Sequence, residues 1–293
     1  MKLSFNEATT RECSNLETDL ELCEKAGFDF IEIRFDMLRE YLKKHTVREL
    51  KEFFDTHRIK PHAFNAVYVF DSFLAEGREK DDAREKQTMD DFMLGCEVGQ
   101  EIGSQYLVVV PDLFREAPNA RPYINTRENI NIDTVRILEA LSDIAADYGM
   151  NLGLEPVGSL GCSVKTIEHA WEIVRMTNRE NVGLTADCFN LYLYAKHNDF
   201  SDMKPVDLDK IFIVHVNNAD DKPIGVLSNA DRRFCDSGVI DLENYIGTLR
   251  DMGYDGMISV EVFRPEYWAQ PAEKVISEAY RTTRDAVARY GRL

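Results

Sequence analysis

Eight short strand-like runs recur along the chain, and this repeat constrains the fold more than any other feature of the sequence. They lie at Lys2–Asn6, Phe30–Arg34, Pro61–Asn65, Tyr106–Val110, Met150–Glu155, Val182–Asp187, Ile211–Val216 and Met257–Val262. Each is too short for a helix, yet continuous enough to be buried on both faces, as parallel strands are. Amphipathic stretches fill the gaps: Asn15–Ala26, Val47–His57, Asp82–Ile102, Ile132–Tyr148, Thr166–Thr177 and Leu242–Met252. Asn15-Leu-Glu and Asp241-Leu-Glu read as helix entries, with an acceptor at the cap and an acid in the first turn. Gly27, Gly149 and Gly253 stand where helices should end, ahead of the next strand.

Eight βα units with no linker or low-complexity segment predict one (β/α)₈ barrel, with residues 1–293 as a single domain. A doubly wound open sheet would want a Gly-rich phosphate loop after the first strand, and Asn6-Glu-Ala-Thr-Thr is not one. The length suits a barrel of roughly 250 residues with some loop insertion. Two loops stand out, Asp112–Asn125 after the fourth strand and Asn217–Asp241 after the seventh; both belong at the C-terminal face, where such barrels build their sites.

Charge narrows the ligand. With 35 basic and 52 acidic residues the net charge is −17, which argues against a nucleic-acid partner. The six cysteines show no C-x-x-C spacing, the N-terminus lacks a signal-like apolar stretch, and no apolar run approaches the roughly 18 residues of a membrane span. These features predict a cytoplasmic protein with reduced thiols and no membrane partner.

Four successive strands close on a candidate ligand. Leu152-Gly-Leu-Glu155 ends the fifth, Val182-Gly-Leu-Thr-Ala-Asp187 the sixth, Phe212-Ile-Val-His215 the seventh and Ile258-Ser-Val-Glu261 the eighth. In a barrel these groups meet above consecutive strands. Three clustered carboxylates repel, by several kcal/mol per pair at ~4 Å and an effective dielectric near 20, unless a cation sits among them. An oxygen-rich set with one imidazole suits one divalent ion, Zn²⁺, Mn²⁺, Co²⁺ or Mg²⁺, and its lack of sulfur argues against a structural zinc site.

On these segments the chain resembles the xylose-isomerase-like TIM-barrel superfamily of sugar isomerases and epimerases, and within it the inosose (2-keto-myo-inositol) isomerases of inositol catabolism. The likeness takes in FNEATT at 5–10, DLELCEKAGFDFIEIR at 19–34, SDIAADYG at 142–149 and LEPVG at 154–158. It continues through NVGLTADCF at 181–189, IFIVHVNNADDKPIGVL at 211–227 and ISVEVFRPEYW at 258–268. The resemblance implies that Glu155, Asp187, His215 and Glu261 bind the metal. It also implies that Arg232 contacts substrate.

Three departures touch the pocket. Asn190 stands where the superfamily usually has a substrate-facing histidine, Cys235-Asp236-Ser237-Gly238 replaces a Pro-Gly-x-Gly turn, and the Asp112–Asn125 loop looks longer than in relatives.

The reaction implied is proton transfer on a small keto-polyol, 2-keto-myo-inositol to its 1-keto isomer, through an enediolate held at the metal. Glu155 and Glu261 are the acid–base pair. Asn6, Arg34, His62, Asn190 and Arg232 are the substrate-binding candidates, with Glu7 and Asn65 beside them. Phe263, Tyr267 and Trp268 stand as a pocket wall or a subunit contact, and a homodimer is the expected assembly. The same metal would serve a ketose 3-epimerase, a hydroxypyruvate isomerase, or a dehydratase of inosose or dehydroshikimate. A polyol-binding barrel without turnover is the non-enzymatic alternative. An endonuclease IV-like activity is disfavoured, since it needs more histidine ligands than His62 and His215 offer.

Overall fold

The computed structural model describes residues 1–76, 81–112, 126–159, 161–195 and 197–292. The strand-like runs become β1 (Lys2–Asn6), β2 (Phe30–Arg34), β3 (Lys60–Tyr68), β4 (Tyr106–Val110), β5 (Asn151–Leu154), β6 (Val182–Asp187) and β7 (Ile211–Val216). The short strands β8 (Asn218–Ala219) and β9 (Arg232–Arg233) follow, and β10 (Met257–Val260) completes the set. All barrel neighbours pair in parallel, and the closed order is β1-β10-β7-β6-β5-β4-β3-β2. The expected (β/α)₈ barrel is therefore present. β8 and β9 form a separate antiparallel ribbon inside the long loop after β7.

The helices are α1 (Leu16–Ala26), α2 (Phe35–Leu42), α3 (Val47–Thr56), α4 (Asp82–Ile102), α5 (Arg127–Asp147), α6 (Ile167–Thr177), α7 (Cys188–Ala195), α8 (Leu242–Met252), α9 (Pro265–Trp268) and α10 (Ala272–Tyr290). The predicted caps hold. The side chain of Asn15 accepts from the Thr18 amide at 3.0 Å and that of Asp241 from the Asn244 amide at 3.0 Å. Gly27 and Gly253 leave α1 and α8 in the left-handed region, at φ 111° and 91°. α5 begins five residues before the predicted Ile132, where Thr126 caps it. Of the loop expected at Asp112–Asn125, only Asp112 falls within the described residues.

One large apolar core lies between barrel and helices. Phe28, fully buried, sits 5.3 Å from Phe5 of β1 and 5.2 Å from Tyr280 of α10, closing the barrel's first strand against its last helix. Truncating such a residue to alanine costs about 3–5 kcal/mol. A second, smaller cluster fills part of the barrel interior: Ala63, Ala66, Val108, Val110 and Ile213. The rest of the interior is polar, with Ser4, Glu32, His62 and Ser259 all buried. The interior thus combines an apolar cluster from β3, β4 and β7 with a polar layer from β1, β2, β3 and β10.

One buried acid pair lies away from that interior. Glu7, just past β1, and Asp19 of α1 are both fully buried. Glu7 accepts the Arg34 amide at 2.8 Å and Asp19 accepts the Thr10 hydroxyl at 2.7 Å, while one oxygen of each has no partner. Glu7 therefore faces α1 and β2. Burial pushes Asp19 up to about 7 against the pull of the Ser14 and Thr10 hydroxyls, and burial plus the nearby Asp19 charge push Glu7 well above the usual carboxylate range. The folded protein then holds a proton that the unfolded chain gives up near pH 4. That contribution is fully present at acid pH, declines as pH rises toward 7, and is gone above it. Thermal unfolding from pH 5 to 8 should show wild type losing stability relative to Asp19→Asn, by up to a few kcal/mol. Parallel pH profiles for the two proteins would show that the pair does not hold the proton.

Candidate metal centre

Strand register brings the four strand-end residues together. Asp187 and His215 are paired neighbours across β6 and β7. Glu155 and Glu261 lie one residue past their strands but keep the ladder, their amides donating to Val109 at 3.0 Å and Val216 at 3.3 Å. Each residue offers one ligand atom, and these four atoms lie within 4.8 Å of one another. Asp187 and His215 are fully enclosed, whereas Glu155 and Glu261 keep slight exposure, at 5% and 3%.

Backbone and side chains hold the cluster from several sides. The amides of Phe189 and Asn190, at the start of α7, donate to Asp187 Oδ1 at 2.7 and 3.2 Å, which leaves Oδ2 facing the centre. Buried Tyr245 of α8 directs its hydroxyl at the carbonyls of Ala186 and His215, 2.8 and 3.2 Å away, tying the ends of β6 and β7 together. Gly158 allows the loop after β5 to pass α7: a Cβ there would lie 2.1 Å from the Asn190 carbonyl oxygen.

His215 carries the test of whether a metal fits. Its Nε2 lies 3.0 Å from Glu32 Oε2, and its Nδ1 has no hydrogen-bond partner although fully buried. Around Nδ1 stand Glu155 at 3.5 Å, Glu261 at 3.5 Å and Asp187 at 3.8 Å. A bare ring nitrogen facing three carboxylates is repulsive unless positive charge lies among them. The titration of the imidazole reports the same demand. Burial opposes its charge, but the Glu32 and Glu261 carboxylates outweigh burial and push His215 well above its usual value. Burial, with Glu155 and Asp187 adding to it, takes Glu261 up to about 8 despite His215 and Arg232. Asp187 is also opposed by burial, yet Arg232 and His215 hold it below its usual range. The donor set therefore fits a hard or borderline divalent ion.

The other predicted residues divide by depth. Arg232 comes from β9 and is almost wholly buried, with its guanidinium 4.5 Å from the Phe189 ring centroid and 5.5 Å from that of Phe263. It donates to Asp187 Oδ2 at 2.5 Å and Glu261 Oε2 at 3.2 Å. The turn after it keeps Gly238 of the family pattern for a steric reason: φ is 147°, and a Cβ would meet Asn218 Oδ1 at 2.2 Å. Asn190 donates to Glu155 Oε1 at 3.0 Å. Asn6 donates to both Glu32 and Glu261, at 2.9 and 3.0 Å, and accepts the Ala8 amide, so its amide group organises carboxylates. Arg34 forks onto Asp36 with two contacts of 2.9 Å and keeps a small exposed fraction.

His62 sits deep in the barrel, near the start of β3. β3 begins at Lys60, which makes His62 its third residue, and runs through the buried stretch 63–67 to Tyr68. It lies beneath the centre, 3.2 Å from Ser4 Oγ and 3.6 Å from Glu32 Oε1, and Asn65 is the β3 residue that reaches Glu261, at 3.0 Å. Burial pushes His62 down to about 4, so it is neutral at pH 7. Of the aromatics after β10, Tyr267 stacks on Phe234 at 4.1 Å, and Trp268 donates to the Ala8 carbonyl at 3.1 Å.

Glu32 is absent from the residues predicted by sequence. It lies two residues before Arg34 on β2, hence on the same face, and that alternation was the available signal. Burial would push its carboxyl up, but His215 and His62 hold it down at about 2.

Metal and protons compete for the same lone pairs. Chelator-treated protein should unfold at lower temperature than protein given Zn²⁺ or Mn²⁺, by about 2.7 kcal/mol at a hundredfold excess over Kd. Metal affinity should weaken as pH falls, because His215 and Glu261 take up protons. Calorimetric titration at pH 8 and 6 checks this, and equal affinities would contradict the ligand set.

The family model described as xylose isomerase-like TIM barrel matches residues 20–286. An inosose isomerase of Bacillus velezensis is 42% identical over 99% of this chain and 98% of its own length. One from Bacillus subtilis is 42% identical over 99% of both. The crystal structure of an IOLI protein with a bound zinc atom superposes with a TM-score of 0.88 at 41% identity, covering all of both chains. The chain belongs to the xylose isomerase-like TIM barrel family.

Proposed function

We propose that the chain, residues 1–293 as one domain, is a metal-dependent isomerase that interconverts 2-keto-myo-inositol and its 1-keto isomer. The observation that carries this reading is the placement of two carboxylates, Glu155 and Glu261, at equal 3.5 Å distances from His215 Nδ1 at the open side of the cluster. The near full-length likeness to inosose isomerases supports the substrate. A divalent ion bound by Glu155, Asp187, His215 and Glu261 supplies Lewis acidity toward a ketone and its neighbouring hydroxyl.

The chain's own residues handle the proton. One carboxylate of the Glu155–Glu261 pair removes the hydrogen on the carbinol carbon beside the ketone, giving an enediol of the substrate. The pair returns a proton to the former carbonyl carbon while the hydroxyl proton passes to the other oxygen. No oxidant or reductant enters. Asn190 donates to Glu155 Oε1, the oxygen nearest His215 Nδ1, while Asn6 and Asn65 both donate to Glu261 Oε1 and leave Glu261 Oε2 toward His215 and Arg232. Arg232 supplies fixed positive charge where enediolate charge develops. Arg34, at the rim, is the candidate for outer hydroxyls. Asn190 can donate and accept but cannot shuttle a proton as histidine does, so the acid–base work stays with the glutamates. A cytoplasmic location belongs to the same reading, and six unpaired cysteines, five of them buried, support it. Among the described residues no helix is long and apolar enough to cross a membrane.

Proton NMR of metal-loaded protein with 2-keto-myo-inositol in D₂O should show the 1-keto isomer carrying solvent deuterium, and a chelated control should show neither. Exchange without that product would redirect the reading to an epimerase outcome or another sugar. Glu261→Gln should lower kcat at least about 100-fold, the lower range for a general acid–base group. Unchanged turnover would remove Glu261 from the mechanism.

A further inference from the structure

Beneath the ligands, Glu32 occupies a position that the metal-binding reading leaves unassigned. It lies on β2, wholly enclosed, on the opposite side of the His215 ring from Glu155, Asp187 and Glu261. Its Oε2 takes both His215 Nε2, at 3.0 Å, and Asn6 Nδ2, at 2.9 Å. The same Asn6 Nδ2 reaches Glu261 Oε1 at 3.0 Å. A single carboxylate thus touches one ligand directly and a second through one amide.

We infer that Glu32 is a positioning residue that fixes His215 with its proton on Nε2 and its lone pair on Nδ1, and that orients Glu261 through Asn6. Neutral imidazole has one N–H and one lone pair. A carboxylate 3.0 Å from Nε2 can only accept, so it places the N–H there and leaves Nδ1 free to coordinate. A carboxylate behind a ligating histidine also raises its basicity, and removing such partners typically costs about 10–100-fold in metal affinity. His62 does not compete for Glu32 Oε2: its Nδ1 lies 3.6 Å from the other oxygen, Oε1.

Glu32→Gln separates this role from simple packing. A glutamine of nearly the same volume can turn its NH₂ toward Nε2, which selects the opposite tautomer and shuts Nδ1 to metal. Two readouts are needed: zinc affinity by competition with a chromophoric chelator, and ¹⁵N–¹H NMR of histidine-labelled protein, following the imidazole whose signal moves on adding zinc. The inference rests on the metal site, so wild type comes first; absence of zinc binding there would sink that reading itself. Given binding, the expected result is a roughly 10–100-fold weaker Kd in Glu32→Gln together with loss of the protonated-Nε2 signature. Affinity within about threefold of wild type would overturn the inference, and so would a weakened Kd with the tautomer unchanged. If the glutamine variant does not fold, Glu32→Asp, which withdraws the carboxylate by one methylene, is measured by the same two readouts. A weaker Kd with an altered Nε2 signal in that variant would support the role, and wild-type affinity would overturn it.

Discussion

The repulsion among carboxylates enclosed around one imidazole nitrogen organises the rest of the molecule. At ~4 Å and an effective dielectric near 20, each pair of such charges costs about 4 kcal/mol. Arg232 relieves part of this by contacting Asp187 and Glu261, but it leaves untouched the space in front of His215 Nδ1. Positive charge at that point turns the mutual repulsions into shared attractions. The closed barrel supplies the rigidity that keeps the groups together: ladder bonds continue through Glu155 and Glu261, and Tyr245 fastens the ends of β6 and β7.

The division of the barrel interior follows from this demand. Each ligand is preceded two residues earlier, on the same strand face, by Gly153, Thr185, Ile213 or Ser259. Under the ligands of β5, β6 and β7 the filling is small or apolar, and Gly153 is needed because a Cβ would meet Thr185 Oγ1 at 2.5 Å. On the opposite side the layer is Ser4, Glu32, His62 and Ser259. A buried anion there has two hydrogen-bond partners on its Oε2, His215 and Asn6, and His215 is one of the candidate metal ligands above.

The fold was legible because parallel barrel strands are enclosed on both faces and therefore read as apolar runs, each followed by a capped amphipathic helix. The candidate ligands were legible because they interrupt those runs at their ends. Depth was harder to read. His62 was expected at the substrate, but it is the third residue of β3 and sits beside Ser4 and Glu32, below the strand ends. Glu32 was passed over because a charged residue inside a strand ordinarily marks the solvent face. In a closed barrel both faces are covered, so the shared parity of Glu32 and Arg34 was the informative sign. The pairing of Glu7 with Asp19 joins a strand end to a helix, and no local pattern announces such a contact.

The departures at Asn190 and Cys235–Gly238 are local exchanges within an unchanged frame. Gly238 persists where the backbone requires it, while Cys235, Asp236 and Ser237 vary around it. Asn190 donates to Glu155 Oε1 but cannot titrate near neutral pH as a histidine would. A site whose proton transfers depended on that group would be disabled by the exchange. A site in which two glutamates face the substrate, each steadied by side-chain amides, loses only one means of tuning. The proposed proton transfers therefore rest on Glu155 and Glu261, with Asn190 donating to the first and Asn6 and Asn65 to the second.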